Sequence, residues 1–207
     1  MPRIICIAGR LAAGKTTLVR QLEKALNAAA LLFDEYEAFG IWPEDLQHWL
    51  DEGADPSAVS NPRLHDDLST LLNGESVLHP QTGEAILPAE TILLEDPFGR
   101  TRREIAPLID HVLFVELPSD LSVARLMQRA LGFDSLDTDP GAVEQLARAE
   151  VDRRLIAAQR WIVYYIQRRE MYAAASDRVR SAADVVLDGG LSRDALLDVA
   201  LDAIRNA

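Results

Sequence analysis

Residues 9–16 read Gly-Arg-Leu-Ala-Ala-Gly-Lys-Thr and follow a continuous apolar run over residues 4–8. The eight residues satisfy the pattern G-x-x-x-x-G-K-S/T. The run before them has no alternating polar residues, which is typical of a strand covered by helices on both faces. The residues after them place Leu18, Leu22 and Leu26 at helical spacing. The sequence therefore predicts a buried strand, a glycine-containing turn and a helix in direct succession.

This turn has the chemistry of a loop that binds a triphosphate. Two glycines let the backbone approach an anion closely, and the start of the helix presents unpaired N–H groups and a partial positive charge. The Lys15 ammonium suits the β- and γ-phosphates, and the Thr16 hydroxyl suits Mg²⁺. We therefore predict that ATP and Mg²⁺ are bound by seven residues: Gly9, Ala12, Ala13, Gly14, Lys15, Thr16 and Thr17.

Four further apolar runs predict strands, and helical patterns separate them. The runs are Leu31–Phe33, Thr91–Leu94, His111–Val115 and Asp184–Leu187. The helical patterns cover Lys15–Asn27, Arg63–Leu72, Leu121–Leu131, about 142–175 and about 192–204. Because strands alternate with helices, we predict an α/β fold with a doubly wound, five-stranded parallel sheet.

Two regions do not follow this alternation. Residues from about 39 to about 90 carry Trp42, Trp49 and five of the ten prolines, so they predict an insert between the second and third strands. Residues Gly132–Gly141 carry three aspartates and predict an exposed loop. The length of 207 residues and the hydrophobic content of 48% suit one main domain over residues 1–207.

Composition argues against several kinds of partner. The formal net charge of -12 opposes binding to the phosphates of nucleic acid. No apolar segment approaches the length of a membrane span, and the run over residues 4–8 is too short for a secretion signal. Cys6 is the only cysteine, so no disulfide can form within the chain. We expect a cytoplasmic protein without a nucleic-acid or membrane partner.

Several short motifs, taken in order, resemble those of the small-molecule P-loop kinases, nearest to the uridine kinase and phosphoribulokinase branch. Besides the phosphate loop they are Asp34-Glu35-Tyr36, Leu93-Leu94-Glu95, Val112–Pro118 followed by Arg125 and Arg129, and Ala183–Gly189. The likeness covers most of the chain and implies an ATP-dependent kinase that phosphorylates a hydroxyl of a small metabolite. Nucleoside, sugar, cofactor precursor and phosphorylated alcohol stay open as acceptors, because Leu78–Gly83 stands where uridine kinases carry a Tyr-Asp pair.

Asp34 is the best candidate for the base and for an acceptor contact. Phosphoryl transfer to an alcohol needs a group that takes the hydroxyl proton. Asp34 follows an apolar strand at its carboxyl end, which is the edge where open α/β sheets place ligands. The alternative is a solvated residue that caps the next turn. The resemblance adds Tyr36, from the same Asp-x-Tyr segment, as a second acceptor contact.

The end of the third strand offers a metal ligand and an acceptor ligand. Glu95 and Asp96 lie at the ligand-binding edge, and the resemblance favours Glu95 as the carboxylate that meets Mg²⁺ directly or through water. The alternative is a polar turn before Pro97. The following Pro97-Phe98-Gly99-Arg100 is similar to the Gly-Phe-Pro-Arg element of nucleoside monophosphate kinases. This similarity makes Arg100 a candidate for binding an acceptor carboxylate or phosphate, with a surface ion pair as the alternative.

The resemblance also implies a lid. Arg125 and Arg129 lie four residues apart and share one face of a helix. In the resembling kinases a lid follows the fourth strand, and its arginines stack on adenine or clamp the phosphates. We therefore expect a lid over about 125–160, in which Arg125 binds the nucleotide and Arg129 contributes to catalysis. The alternative is a pair of ion pairs on the helix surface.

The remaining features favour structural roles or leave alternatives. Trp161, Tyr164, Tyr165 and Tyr172 have the spacing of core packing or of a contact in a homodimer. The four histidines do not have the spacing of a zinc site. A nucleotide-dependent ATPase or switch stays open as a second function, and a nucleotide-binding protein without catalysis as a third. The absence of an Asn-Lys-x-Asp motif argues against a GTPase switch.

Overall fold

The structure is a computed structural model that describes residues 2–132 and 148–207. The chain separates into two compact units, Met1–Leu117 with Met171–Ala207, and Pro118–Glu170. The predicted lid over about 125–160 overlaps the second unit. The predicted loop over Gly132–Gly141 lies, apart from Gly132, outside the described residues.

The first unit is built on a parallel sheet. The strands are β1 (Arg3–Gly9), β2 (Ala29–Leu32), β3 (Val77–Leu78), β4 (Ala85–Ile86), β5 (Thr91–Glu95), β6 (His111–Glu116) and β7 (Val185–Asp188). Five of the described strands form one sheet in the order β2-β5-β1-β6-β7, and all of its neighbours are parallel. The strands β3 and β4 form a separate antiparallel hairpin. The predicted five-stranded parallel sheet is confirmed.

Helices cover both faces of this sheet. The described α-helices are α1 (Lys15–Leu26), α2 (Leu46–Asp51), α3 (Pro62–Leu72), α4 (Ser119–Ala130), α5 (Arg148–Ser181) and α6 (Arg193–Arg205). On one face, Ile4 and Cys6 pack in a core with Leu64 and Leu68 of α3. On the other face, alternate β1 residues pack in a core with the apolar stripes of α1 and α6, represented by Leu18, Leu22, Ala200 and Ile204. This two-sided burial explains why the strands are continuously apolar.

The structure gives the elements of the predicted insert and a later end for the predicted long helix. The insert over about 39–90 contains α2, α3 and the β3–β4 hairpin. The long helix, predicted to end near residue 175, continues to Ser181 because Val179 on its last turns is buried in the core under the sheet. The predicted start of that helix, over residues 142–147, lies outside the described residues. None of the helices in the described part of the chain is apolar over enough residues to cross a membrane.

The second unit contains α4 and the first part of α5. The α4 helix ends at Ala130, and Gly132 follows it with a left-handed φ of 75°. The Arg154 guanidinium on α5 donates to the carbonyl of Leu131 at 2.8 Å and to Glu150 at 2.7 Å. These contacts hold the end of α4 against α5.

Candidate active site

The phosphate loop connects the end of β1 to the start of α1. A Cβ atom at Gly9 would lie 2.4 Å from the carbonyl oxygen of Val115 on β6, so only glycine fits there. Gly14 precedes α1 with φ 94° and ψ 13°, a left-handed conformation that glycine adopts at little cost. The two positions therefore require glycine for different reasons. Gly9 permits the close approach of two strands, and Gly14 permits the turn into the helix.

The start of α1 is suited to an anion. The first turn of α1 contains no acidic residue, so no carboxylate in that turn competes with a bound anion for the positive end of the helix dipole. Thr16 and Thr17 in this turn are exposed, whereas Ala12 and Ala13 of the loop are buried. Backbone N–H groups of the loop and of the helix start are the donors that such a site offers to phosphate oxygens.

Lys15 and Glu95 form a buried ion pair beside this loop. The Lys15 Nζ donates to the carbonyl of Arg10 at 3.1 Å and lies 3.6 Å from Glu95 Oε1. Burial raises the pKa of Glu95 to about 7. The Lys15 ammonium opposes this increase, and the charges of Asp34 and Asp96 add to it. The loop cation is thus close enough to the strand-end carboxylate to lower its pKa against the effect of burial.

The second oxygen of Glu95 fits a metal ligand. Glu95 Oε2 is buried and has no hydrogen-bond partner among the described residues. In the described ranges 2–132 and 148–207 no three His, Cys, Asp or Glu side chains form a cluster that could hold a metal. A Mg²⁺ ion that keeps several waters and binds nucleotide phosphates needs only one or two protein ligands. Glu95 and Thr16 therefore stay the predicted protein ligands of such an ion.

Strand register places Asp34 at the same edge. Leu32 of β2 and Ile7 of β1 both lie beside Glu95 of β5. Asp34 follows Leu32 by two residues, and Gly9 follows Ile7 by two residues. Asp34 is exposed in the first turn of a 3₁₀ helix that begins at Phe33. The three neighbouring strands therefore bring the phosphate loop, Glu95 and Asp34 to one edge of the sheet.

Tyr36, expected to contact the acceptor, is instead a core residue. Its side chain is fully buried, and its hydroxyl donates to Asp67 on α3 at 2.9 Å. Burial, reinforced by the Asp67 charge, raises the pKa of Tyr36. The cause of the difference is the 3₁₀ helix, which turns residues two apart to different sides. Asp34 points outward, and Tyr36 fixes the segment to α3.

Arg100, expected to bind the acceptor, is engaged elsewhere. Its Nη1 lies 2.8 Å from Asp184, and its other nitrogens donate to the carbonyls of Ile109 and Asp110. These partners precede or begin β6 and β7, so they lie at the amino edge of the sheet, opposite the phosphate loop. Arg100 therefore connects the amino ends of two strands. This arrangement corrects the expected role.

Arg102 is the arginine that turns toward the core behind the carboxyl edge. Its side chain is fully buried and forms an ion pair with the buried carboxylate of Asp96. Its guanidinium lies over the ring of Phe33, 4.9 Å from the ring centre. Sequence reasoning missed this residue, because two arginines in Arg100-Thr101-Arg102 carry no signal for which of them is buried.

The insert hairpin contacts the residue after Asp34. His79 Nε2 lies 3.1 Å from Glu35 Oε2, and Arg20 of α1 donates to the other Glu35 oxygen at 2.9 Å. A cleft of about 1460 Å³ runs beside these residues and along β2. The residues of the phosphate loop do not line this cleft, so we do not equate it with the nucleotide site.

Arg125 and Arg129 lie one turn apart on α4 within the second unit. Arg129 is exposed, and Arg125 is half-buried. Their expected contacts with the nucleotide stay predictions. The acidic residues Asp134, Asp137 and Asp139 of the expected lid lie outside the described residues.

The parallel sheet and the glycine-containing loop between β1 and α1 define a P-loop nucleotide-binding fold. No family model matches the chain. The chain is 29% identical over 143 residues to a uridine kinase of Halalkalibacterium halodurans, a match that covers 62% of this chain and 67% of the relative. It is 25% identical over 142 residues to the uridine kinases of Borrelia duttonii and Borrelia recurrentis, covering 62% of this chain and 68% of each relative. These similarities to uridine kinases indicate an ATP-dependent kinase.

Proposed function

We propose that this kinase transfers the γ-phosphoryl group of ATP to a hydroxyl of a nucleoside or of a small metabolite that carries a similar sugar. The observation that carries this proposal is the meeting of the phosphate loop, Glu95 and Asp34 at the ends of three adjacent strands. The names of the relatives support a nucleoside as the acceptor. The insert hairpin with Leu78–Gly83 keeps the choice of nucleoside or sugar open to test.

The phosphate-binding side depends on Lys15 and on the loop amides. The Lys15 ammonium is already held beside the loop by the Arg10 carbonyl and by Glu95, so it is placed to follow the β- and γ-phosphates. Glu95 and Thr16 would hold Mg²⁺, which neutralises phosphate charge when bound. Preorganised donors of this kind stabilise charge in the transition state without reorganising during the reaction.

On the acceptor side, Asp34 takes the proton. The acceptor oxygen forms a bond to the γ-phosphorus while the bond from that phosphorus to the ADP oxygen breaks. The proton of the acceptor hydroxyl moves to the Asp34 carboxylate. The exposure of Asp34 at the sheet edge supports this role, because an acceptor must reach it from solvent.

Asp34→Asn tests this assignment. We expect the substitution to lower acceptor-dependent ADP release at least roughly 100-fold, because a positioned base contributes about 10² to 10⁴ in rate. The measurement is ADP release with ATP and Mg²⁺ in the presence of uridine, cytidine, ribose-containing metabolites or hydroxylated cofactor precursors. Glu37→Gln is the matched control, because Glu37 is an exposed acid in the same 3₁₀ helix and should leave the rate unchanged.

Two results would contradict the proposal. If no acceptor stimulates ADP release by the wild-type protein, phosphoryl transfer to these metabolites is wrong, and slow hydrolysis that responds to a protein would indicate the switch alternative. If an acceptor is phosphorylated and Asp34→Asn retains that rate, the kinase assignment stands and the base assignment is wrong.

A further inference from the structure

Arg102 and Asp96 form an ion pair in the interior of the first unit. Both side chains are fully buried. Asp96 also accepts a hydrogen bond from the backbone N–H of Phe98 at 2.8 Å. Removing two charges from water costs several kcal/mol per ion in real proteins. Well-packed apolar residues in place of a buried ion pair often leave the stability unchanged or increase it. The pair therefore needs an explanation other than stability.

The pair is also incompletely hydrogen-bonded. The Nε and Nη1 atoms of Arg102 are buried without a hydrogen-bond partner among the described residues. Each buried polar group without a partner costs about 1–3 kcal/mol. A pair retained only for stability would be expected to satisfy these donors. Its position in the molecule indicates what it does instead.

On one side, the pair holds the end of β5. Asp96 directly follows Glu95, the carboxylate assigned to Mg²⁺. The backbone N–H of Asp96 donates to the carbonyl of Ile7 on β1, two residues before the phosphate loop. The Arg102–Asp96 contact therefore fixes the backbone that carries Glu95.

On the other side, the pair holds the segment that carries Asp34. The Arg102 guanidinium lies over the ring of Phe33, which directly precedes Asp34, and 6.0 Å from the ring centre of Phe98. A planar guanidinium stacks on an aromatic face in a way that an ammonium group does not reproduce. Arg102 thus contacts Asp96, which follows the proposed metal ligand Glu95. It also contacts Phe33, which precedes the proposed base Asp34.

A second connection runs from Arg102 to the far side of the Asp34 segment. Arg102 Nη1 lies 4.0 Å from Glu104 Oε1, which accepts a hydrogen bond from the backbone N–H of Asn61. The Asn61 side chain donates to the carbonyl of Tyr36 at 2.8 Å. Asp34 therefore lies between two residues, Phe33 and Tyr36, that are both connected to Arg102.

We propose that Arg102 is a positioning residue that fixes the spacing between Asp34 and Glu95. Through Asp96 it sets the position of the carboxylate for Mg²⁺, and through Phe33 it sets the position of the base. The inference rests on the proposed function for the role of Asp34. Its metal side can be tested without any acceptor.

The test compares Arg102→Lys and Arg102→Met with Arg100→Lys and Arg100→Met. The two arginines are two residues apart and each pairs with an aspartate, but Arg100 pairs at the amino edge. Two quantities are measured on the full chain. One is kcat with an acceptor that stimulates ADP release, and the other, measured by calorimetry, is the increase in affinity for a non-hydrolysable ATP analogue when Mg²⁺ is added. Thermal unfolding shows that each variant is folded.

We expect Arg102→Lys to lower kcat about 10- to 100-fold, the range seen when residues that orient metal ligands are replaced. The Mg²⁺-dependent increase in affinity should fall by a similar factor, while affinity for the analogue without Mg²⁺ stays close to wild type. Arg100→Lys should lower stability without changing kcat or the Mg²⁺ effect. Equal kcat and equal Mg²⁺ effect in the two lysine variants would overturn the proposal.

Phe33→Leu provides a second test in case the Arg102 variants do not fold. This substitution removes the ring under the guanidinium and leaves the ion pair intact. A drop in kcat of about threefold or more, without a change in the Mg²⁺ effect, would support the connection from Arg102 to Asp34. An unchanged kcat would remove that half of the proposal. If the wild-type protein phosphorylates no acceptor, the proposed function fails, and the calorimetric comparison alone decides the metal half.

Discussion

The two edges of the parallel sheet use charged side chains in different ways. At the amino edge, Arg100 gives its donors to Asp184 and to two backbone carbonyls, and Asp184 also accepts from the backbone N–H of Val112 at 2.7 Å. At the carboxyl edge, one oxygen of Glu95 and two nitrogens of Arg102 have no hydrogen-bond partner in the part of the chain that the structure describes. The pair of Arg100 and Asp184 is saturated by the fold, whereas Glu95 and Arg102 retain capacity for further bonds. At the amino edge the buried Nε2 of His111, beside Asp184, also has no partner among the described residues.

This difference separates stabilising charges from functional ones. A buried polar atom without a partner costs stability, so it persists where another requirement retains it. The carboxyl edge is also where the phosphate loop and Asp34 lie. We infer that charges at this edge are retained for ligands and transition states, whereas the pair of Arg100 and Asp184 stabilises the fold.

Lys15→Met should have the largest effect at the carboxyl edge. Removal of the ammonium takes away a donor to the transferring phosphoryl group, and loss of one such donor costs about 10² to 10³ in kcat. Acceptor-dependent ADP release measures the loss. Lys24→Met, at the exposed end of the same helix, is the control and should retain the wild-type rate. A fully active Lys15→Met protein would show that the charge of Lys15 at the carboxyl edge is not needed for function, contrary to the division proposed here.

Glu95→Gln should show how much the buried Glu95 carboxylate at this edge lowers the free energy of unfolding. The pKa of Glu95 is raised by burial from 4.5 to about 7. Between these pH values the folded chain holds a proton that the unfolded chain has released, so the free energy of unfolding falls as the pH rises. The difference corresponds to about 3 kcal/mol at most. Glu95→Gln exchanges no proton and should flatten this decline.

Urea unfolding of the nucleotide-free protein in EDTA, from about pH 4.5 to about pH 8, measures the slope. The exposed Glu90 at the amino edge supplies the control, because Glu90→Gln should keep the wild-type decline. If the wild-type protein and Glu95→Gln show the same slope, the carboxylate does not carry the burial cost that we assign to it.

The local part of this architecture could be predicted from sequence. The order of strand, loop and helix over β1, the phosphate loop and α1 depends on residues next to each other in the chain. The apolar run, two glycines and helical spacing are sufficient for it. The parallel sheet followed because its strands are buried on both faces and alternate with helices. The end of the long helix at Ser181 needed the structure.

Side-chain orientation in the loops could not be predicted. Arg100 and Arg102 differ because their partners are Asp184, far along the chain, and Asp96, six residues earlier. The burial of Tyr36 depends on Asp67, which lies 31 residues away on α3. Spacing within a segment carries no information about such partners. The same limit explains why Arg102 was missed and why Arg100 was assigned to the acceptor.

Asp184→Asn should give the smallest effect, and it tests the amino edge. Burial raises the pKa of Asp184, but hydrogen bonds from Arg100 and from the Val112 N–H lower it more, so the pKa lies below its ordinary 3.8. The stability that Asp184 contributes is therefore present above about pH 3.8 and is lost as the pH falls through the lower folded pKa. We expect Asp184→Asn to lower the free energy of unfolding by about 1 kcal/mol near neutral pH, with kcat unchanged. Urea unfolding should show the gap from wild type closing in acid. A loss of kcat without a loss of stability would place Asp184 in the chemistry, and then a saturated set of hydrogen bonds would no longer mark a charge pair as purely structural.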